Sequence, residues 1–230
     1  MGCVVKSVGG LCSHLVIGGV LLAAGSASRM GRKPKALLEL GGVPLIRRQL
    51  MALSDAGLDE LVVVLGHHAE HLEPLVHDFP VKLVHNPEPD RGQVSSQRLG
   101  LKSLSGKLDA VIVALADQPL VGAQDDMDLI SAYKTRPEGT EVVVPTVDGL
   151  PGNPVMFSRH VLQEVLAGEA QIGCKQWQMK NPWAVYHWVT ENKRYRQDVD
   201  SPGDIELLAQ QTGQRLRWPA SWRGDAPKLA

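Results

Sequence analysis

Leu15-Val16-Ile17-Gly18-Gly19-Val20-Leu21-Leu22-Ala23-Ala24-Gly25-Ser26-Ala27-Ser28-Arg29-Met30-Gly31-Arg32-Lys33-Pro34-Lys35 is the stretch from which the rest of the chain is read. Residues 15–23 are apolar or glycine throughout, with no polar face, as expected of a strand covered by helices on both sides. Small residues follow, and then the cations Arg29, Lys33 and Lys35. Small residues leave backbone N–H groups open to an oxyanion, and basic side chains further along neutralise its charge, so the pattern reads as a phosphate cradle. No Gly-Lys-Ser/Thr closes it, so it is not a Walker loop, and its glycines lack the G-x-G-x-x-G spacing of a dinucleotide fingerprint. The competing reading is a surface loop with ordinary basic residues. A second competitor is a signal peptide, because Lys6 precedes the apolar run and Ala23-Ala24-Gly25-Ser26-Ala27 has the form of a cleavage site. That reading leaves Arg29 and Lys35 without a role, and the buried strand is preferred.

Outward from this strand the chain alternates. Ile46, Leu50 and Leu53 fall at helical spacing within residues 44–56, and Gly57 ends that helix. Residues 60–66 form a β-branched strand, residues 69–76 a helix and residues 81–85 another strand. After a proline-rich turn, Val94, Leu101 and Leu104 lie along one helical face; residues 108–116 make a continuous apolar strand. A helix over 125–134 and a strand over 141–145 complete the regular part. Such alternation predicts an α/β fold, a single Rossmann-like three-layer domain with a mostly parallel central sheet. The last third is less regular and holds all five tryptophans, at 177, 183, 188, 218 and 222. Residues 1–14 are set apart as a leader, 15–212 as one domain and 213–230 as a C-terminal tail.

A chain of 230 residues can bury one sizeable core. Its 24 basic and 25 acidic residues give no global field toward nucleic acid or an anionic membrane, so neither is expected as a partner. Cys3, Cys12 and Cys174 are too few and scattered for a disulfide framework, which fits a reducing cytoplasm. His67 and His71 have the i, i+4 spacing of a shared metal site, but the order differs from the zinc-protease pattern and a solvated helix start is the better reading.

Two further segments carry chemistry. In Ala114-Leu115-Ala116-Asp117-Gln118-Pro119 an apolar strand ends in a carboxylate, and proline then blocks further pairing. Ligands of open α/β sheets sit beyond the carboxyl ends of the strands, where a carboxylate is a natural Mg²⁺ ligand; a turn residue or helix cap is the alternative. In Gly92-Gln93-Val94-Ser95-Ser96-Gln97 the hydroxyls either face a base or phosphate or serve as helix caps. All three segments follow separate strands, and a parallel sheet gathers them at one edge.

In this order the motifs resemble the nucleotidyltransferases of molybdenum cofactor biosynthesis, the molybdenum cofactor cytidylyltransferases in particular. The likeness runs from the Leu-Ala-Ala-Gly…Lys opening through Asn86-Pro87, Gly92…Ser96, Asp117-Gln118-Pro119, Gly149-Leu150-Pro151-Gly152-Asn153-Pro154-Val155 and Asp198-Val199-Asp200-Ser201-Pro202. Ala24 stands where related guanylyltransferases carry glycine, which favours CTP over GTP. The resemblance implies that Ala23, Ala24 and Gly25 approach the nucleotide through their backbone, that Arg29 and Lys35 contact its triphosphate, and that Gly92 and Ser96 line the nucleotide site. It also implies Mg²⁺ on Asp117 and Asp200, with Gly152, Asn153 and Pro154 facing a phosphate-bearing pterin. Lys35, Arg29 and Asp117 form the implied catalytic set, and a molybdoenzyme the implied client. Lys35, leading into Ala36-Leu37-Leu38, fits the lysine position better than Lys33.

The chain departs from the family at three places. A Gly-Asp-x-Gly-Ala-Arg stretch is replaced by Gly168-Glu169-Ala170-Gln171-Ile172-Gly173-Cys174-Lys175, Asn153 stands where histidine is common, and Gln97 stands where leucine is common. These changes bear on the acceptor far more than on the nucleotide chemistry. Guanylyl transfer, transfer to a sugar phosphate, and a non-catalytic role delivering cofactor to a molybdoenzyme are the alternatives. A phosphate monoester has a second pKa near ~6 and is largely ionised at neutral pH, so the implied transfer needs no histidine base.

Overall fold

The computed structural model describes residues 14–222, so the greater part of the leader lies outside the described residues. The strands are β1 (Ile17–Ala23), β2 (Glu39–Leu40), β3 (Val43–Pro44), β4 (Glu60–Leu65), β5 (Lys82–His85), β6 (Ala110–Leu115), β7 (Val142–Val147), β8 (Leu150–Pro151), β9 (Val155–Ser158), β10 (Val185–Val189) and β11 (Leu216–Arg217). The α-helices are α1 (Leu45–Asp55), α2 (Ala69–Leu72), α3 (Gln93–Lys102), α4 (Ala123–Lys134), α5 (Arg159–Ala167), α6 (Cys174–Lys180) and α7 (Pro202–Thr212). The main sheet runs β10-β7-β9-β6-β1-β4-β5, with β8 on β7. Pairings β1–β4, β1–β6, β4–β5 and β7–β10 are parallel, whereas β9 lies antiparallel to both β6 and β7. The expected α/β architecture with a mostly parallel sheet is what the chain adopts.

Strand pleating divides the core. Ile17 and Leu21 of β1 face one side with Ile46, Leu50 and Leu53 of α1 and Leu129 and Tyr133 of α4. Val20 and Leu22 face the other with Leu101 of α3, Val161 and Val165 of α5 and Trp177 of α6. A smaller cluster, including Met30, Leu38, Leu45 and Leu208, lies by the three-stranded sheet β11-β2-β3.

The helix expected over 69–76 is shorter. Regular α-helix stops at Leu72 and a 3₁₀ turn, Glu73–Leu75, follows, because Pro74 cannot continue the hydrogen-bond ladder. Residues 213–222 of the expected C-terminal tail supply β11 to the small sheet, and Trp218 and Trp222 pack on the core. Trp177 is buried, whereas Trp183 is 74% exposed. Among the described residues no helix is long and apolar enough to cross a membrane.

Candidate active site

Beyond the carboxyl ends of β1, β4 and β6 lies a cleft of about 380 Å³, within the range of small-molecule sites. Ala23, Ala24, Gly25, Lys35, Gly92, Ser96 and Asp117 line it, seven of the residues the sequence singles out. Its floor forms where β1 stops. The chain then takes two left-handed positions at non-glycine residues, Ala27 (φ 49°) and Arg32 (φ 60°). The Ala27 carbonyl accepts from the amides of Met30 and Arg32, which winds the loop about itself while Met30 anchors it in the small cluster. A 3₁₀ turn, Lys35–Leu37, then brings Lys35 back over the sheet edge.

Lys35 Nζ donates to Asp117 Oδ2 at 2.5 Å and to Asp200 Oδ1 at 2.7 Å. Burial works against the lysine charge, but the two carboxylates outweigh it and hold the Lys35 pKa above the ordinary value. In turn the hydrogen bond from Lys35, reinforced by the charges of Lys35 and Arg29, holds the Asp200 carboxyl below its ordinary value. Asp200 is also fixed through its backbone: its amide donates to Asp204 Oδ2 at 2.9 Å, in the capping box that starts α7. Arg29 reaches the same carboxylate, Nη2 to Oδ2 at 2.7 Å, from a side chain that is 70% exposed. Arg29 and Asp200 do not line the cleft itself; they extend it past Lys35. Lys33 turns away and donates to the Trp222 carbonyl at 3.0 Å.

Asp117 Oδ1 is buried without a hydrogen-bond partner among the described residues. A carboxylate with one oxygen left over, sharing Lys35 with a second carboxylate, is a donor set that fits a hard divalent cation. Among the described residues no group of three or more His, Cys, Asp or Glu side chains is arranged around such an ion. The protein's share of the shell would be these two carboxylates, completed by phosphate oxygens and water.

At the other end of the cleft Ser96 is only 4% exposed, and its Oγ accepts from Asn86 Nδ2 at 2.8 Å. The Gly152-Asn153-Pro154 segment, which the resemblance implies faces an acceptor, lies beside the Asp117 turn. Gln118 Nε2 donates to the Asn153 carbonyl at 3.2 Å, and the Asn153 amide donates to the Tyr195 carbonyl at 2.8 Å. Gly152, Asn153 and Pro154 are thus adjacent to the cleft without lining it.

Two groups were passed over in the sequence. His67, read as part of a solvated helix start, lines the cleft; its Nε2 meets Asp90 Oδ1 at 2.9 Å, and its Nδ1 lies 3.4 Å from the Ala24 carbonyl. Its position just past the end of β4 was the available signal. Desolvation, and then the nearby charges of Asp117 and Asp200, hold the Asp198 carboxyl above its ordinary value. The Asp-x-Asp spacing held that information.

Comparison with known proteins agrees with this geometry. The MobA-like NTP transferase domain matches residues 19–182. Rv0371c of Mycobacterium tuberculosis superposes with a TM-score of 0.70 at 26% identity, covering 85% of this chain and 98% of that one. The same protein has also been solved in complex with manganese, at a TM-score of 0.62 and 24% identity over 85% of this chain and 98% of that one. The bifunctional IPC transferase and DIPP synthase of Thermococcus kodakarensis is 36% identical over 94 residues, 38% of this chain and 21% of that protein. Nicotine blue oxidoreductase of Paenarthrobacter nicotinovorans is 38% identical over 101 residues, 44% of this chain and 49% of that protein. The chain therefore spans about a fifth to a half of the length of these two curated relatives. With 164 consecutive residues matched, and with the strand-end cleft in place, the chain belongs to the MobA-like NTP transferase domain family.

Proposed function

We propose that this protein transfers CMP from CTP to the terminal phosphate of molybdopterin or its molybdenum-loaded form, releasing pyrophosphate. The observation that carries the reading is the meeting of Lys35, Asp117 and Asp200 at the mouth of a cleft floored by the Gly25 loop. Backbone groups of residues 23–25 take the nucleotide, with Gly92 and Ser96 at its far end, and Arg29 and Lys35 meet its triphosphate. An oxygen of the acceptor phosphate attacks the α-phosphorus. The α–β bridging bond breaks as the new phosphoanhydride forms, and the electron pair leaves with pyrophosphate. Lys35 neutralises the charge that grows there, and no side-chain base is required of an acceptor already ionised. A divalent cation, Mg²⁺ in this reading, held on Asp117 and Asp200 supplies the remaining neutralisation. Gly152, Asn153 and Pro154 receive the flat heterocycle, small residues and proline allowing close approach to the backbone.

The family supports nucleotidyl transfer. CTP and the pterin rest on Ala24 and on the order of the motifs. The test mixes the protein with Mg-CTP and molybdenum cofactor released from a molybdoenzyme, and seeks the cytidine dinucleotide by mass spectrometry. Dinucleotide formation is expected, together with a larger rise in melting temperature from Mg-CTP than from Mg-GTP. Greater stabilisation by GTP reverses the choice of nucleotide. Pyrophosphate release driven by another monoester, with no dinucleotide formed, removes the pterin and keeps the chemistry. That second outcome is the reading favoured by the relative named for IPC transfer and by the absence of an arginine in residues 168–175. A delivery role at a molybdoenzyme client remains if neither acceptor is used and the pterin still binds.

A further inference from the structure

Gln118 follows Asp117 and is 1% exposed. Its side chain does not enter the cleft. Nε2 is shared between the Asn153 carbonyl at 3.2 Å and the Tyr195 carbonyl at 3.1 Å. Its own carbonyl is gripped from the opposite side by Gln49 Nε2 at 2.6 Å, and Gln49 is equally buried. Residue 118 is therefore clamped at both backbone and side chain, immediately beside the carboxylate of the site.

The Tyr195 carbonyl is the junction of this arrangement. It accepts from Gln118 Nε2 and from the Asn153 amide, and the Tyr195 hydroxyl donates to the Asp125 carbonyl at 2.7 Å, tying the junction to the first turn of α4. Gly152 passes so close that a Cβ there would sit 2.6 Å from the same Tyr195 oxygen, so no other residue fits without moving the segment. Four residues beyond Tyr195, the Val199 amide donates to the Asp117 carbonyl at 3.0 Å. Among the described residues the Asn153 carbonyl accepts from the Gln118 amide alone, whereas the Tyr195 carbonyl has the Asn153 amide as well.

We infer that Gln118 is a positioning residue that ties the 152–154 segment to the Asp117 turn and so holds an acceptor in line with the nucleotide. The inference rests on the proposed function and assigns a task to a residue that touches neither substrate. Without the amide the Asn153 carbonyl loses its donor, and the segment shifts relative to Asp117 while the nucleotide half of the cleft, built on β1 and β6, stays in place. In-line displacement is sensitive to such shifts, since a misplacement of about 1 Å costs on the order of 100-fold in rate.

The test uses Gln118→Met, which keeps the buried volume and removes the donor. Wild type and variant are compared in melting temperature, in Mn²⁺-CTP affinity by electron paramagnetic resonance, in pyrophosphate release with released molybdenum cofactor as acceptor, and in amide exchange at Asn153. The variant is expected to fold, to bind Mn²⁺-CTP within about twofold of wild type, to turn over on the order of 100-fold more slowly and to exchange faster at Asn153. Turnover within about threefold of wild type overturns the inference, as does a loss of nucleotide affinity in step with turnover, which marks a purely structural role. If wild type binds Mn²⁺-CTP but does not use the cofactor, the acceptor assignment has failed separately. Asn153 exchange then decides for Gln118, and unchanged exchange in the variant overturns its role.

Discussion

The Val199 amide donates to the Asp117 carbonyl at 3.0 Å, joining the turn after β6 to the strand-like segment that precedes α7. Eighty-two residues separate the two in sequence, yet this backbone bond brings the carboxylates of Asp117 and Asp200 to the same lysine.

Asp117→Asn is expected to reduce pyrophosphate release by about three orders of magnitude while the protein remains folded, because the amide keeps the shape and loses the charge. Circular dichroism and a turnover assay check this. Near-normal turnover by a folded variant would remove Asp117 from the site.

Lys35→Met leaves two carboxylates facing each other without their shared cation. Turnover is expected to fall on the order of 100-fold or more. Stability also changes with pH in a defined direction. In the wild type the Asp200 carboxyl is held below its ordinary value, chiefly by the bond from Lys35, so its contribution is present above that ordinary value and is lost as pH falls through the lowered one. The variant should show a smaller acid-side loss, the part that Arg29 still supports, which denaturation between neutral pH and pH of about 3 will reveal.

Asp126 is fully buried in the first turn of α4, and neither carboxylate oxygen has a hydrogen-bond partner among the described residues. Burial, and then the charge of Asp125, push its carboxyl up to about 7. Between the ordinary value of 3.8 and about 7 the folded protein holds a proton that the unfolded chain has released. Stability should therefore fall as pH rises through that window, by roughly 4 kcal/mol in all. Asp126→Asn should remove this decline. Parallel stability curves for variant and wild type at pH of about 5 to 8 would sink the prediction.

A Cβ on Gly66 would lie 2.7 Å from the Ala24 carbonyl, in the floor of the cleft. Gly66→Ala should push the Gly25 loop outward and raise the KM for the nucleotide about tenfold, with a smaller change in turnover number. An unchanged nucleotide KM would show that the loop yields without cost.

The sequence made β1, β4 and β6 plain because strands covered on both faces read as unbroken apolar runs, and the helices between them keep their period. It made β8, β9 and β10 obscure. Two of these have two and four residues, and β10 mixes Tyr186, His187 and Trp188 in an edge strand, so none has a period long enough to detect. The meeting of the Gly25 loop, Lys35 and Asp117 in one cleft was legible because small and charged residues stand out where the apolar strands end. His67 and Gln118 were not, for their importance comes from tertiary neighbours, Asp90 and the Ala24 carbonyl for one, Asn153 and Tyr195 for the other.

The reversed direction of β9 divides labour within the fold. In a wholly parallel sheet only loops that follow strands reach the carboxyl edge. Because β9 runs the other way, with Val155 opposite Val113, the loop that precedes it arrives there too. The nucleotide half is thus assembled from exits of parallel strands, and the half proposed for the acceptor from a single entrance, the hairpin through β8. Only the tip of that hairpin, residues 148–151, stands clear of the Gln118 and Tyr195 contacts that fix Gly152 and Asn153 beside the Asp117 turn. A lineage could acquire new acceptors by editing that short tip while inheriting its nucleotide chemistry, and grafting residues 148–151 between relatives is the laboratory version of the same step.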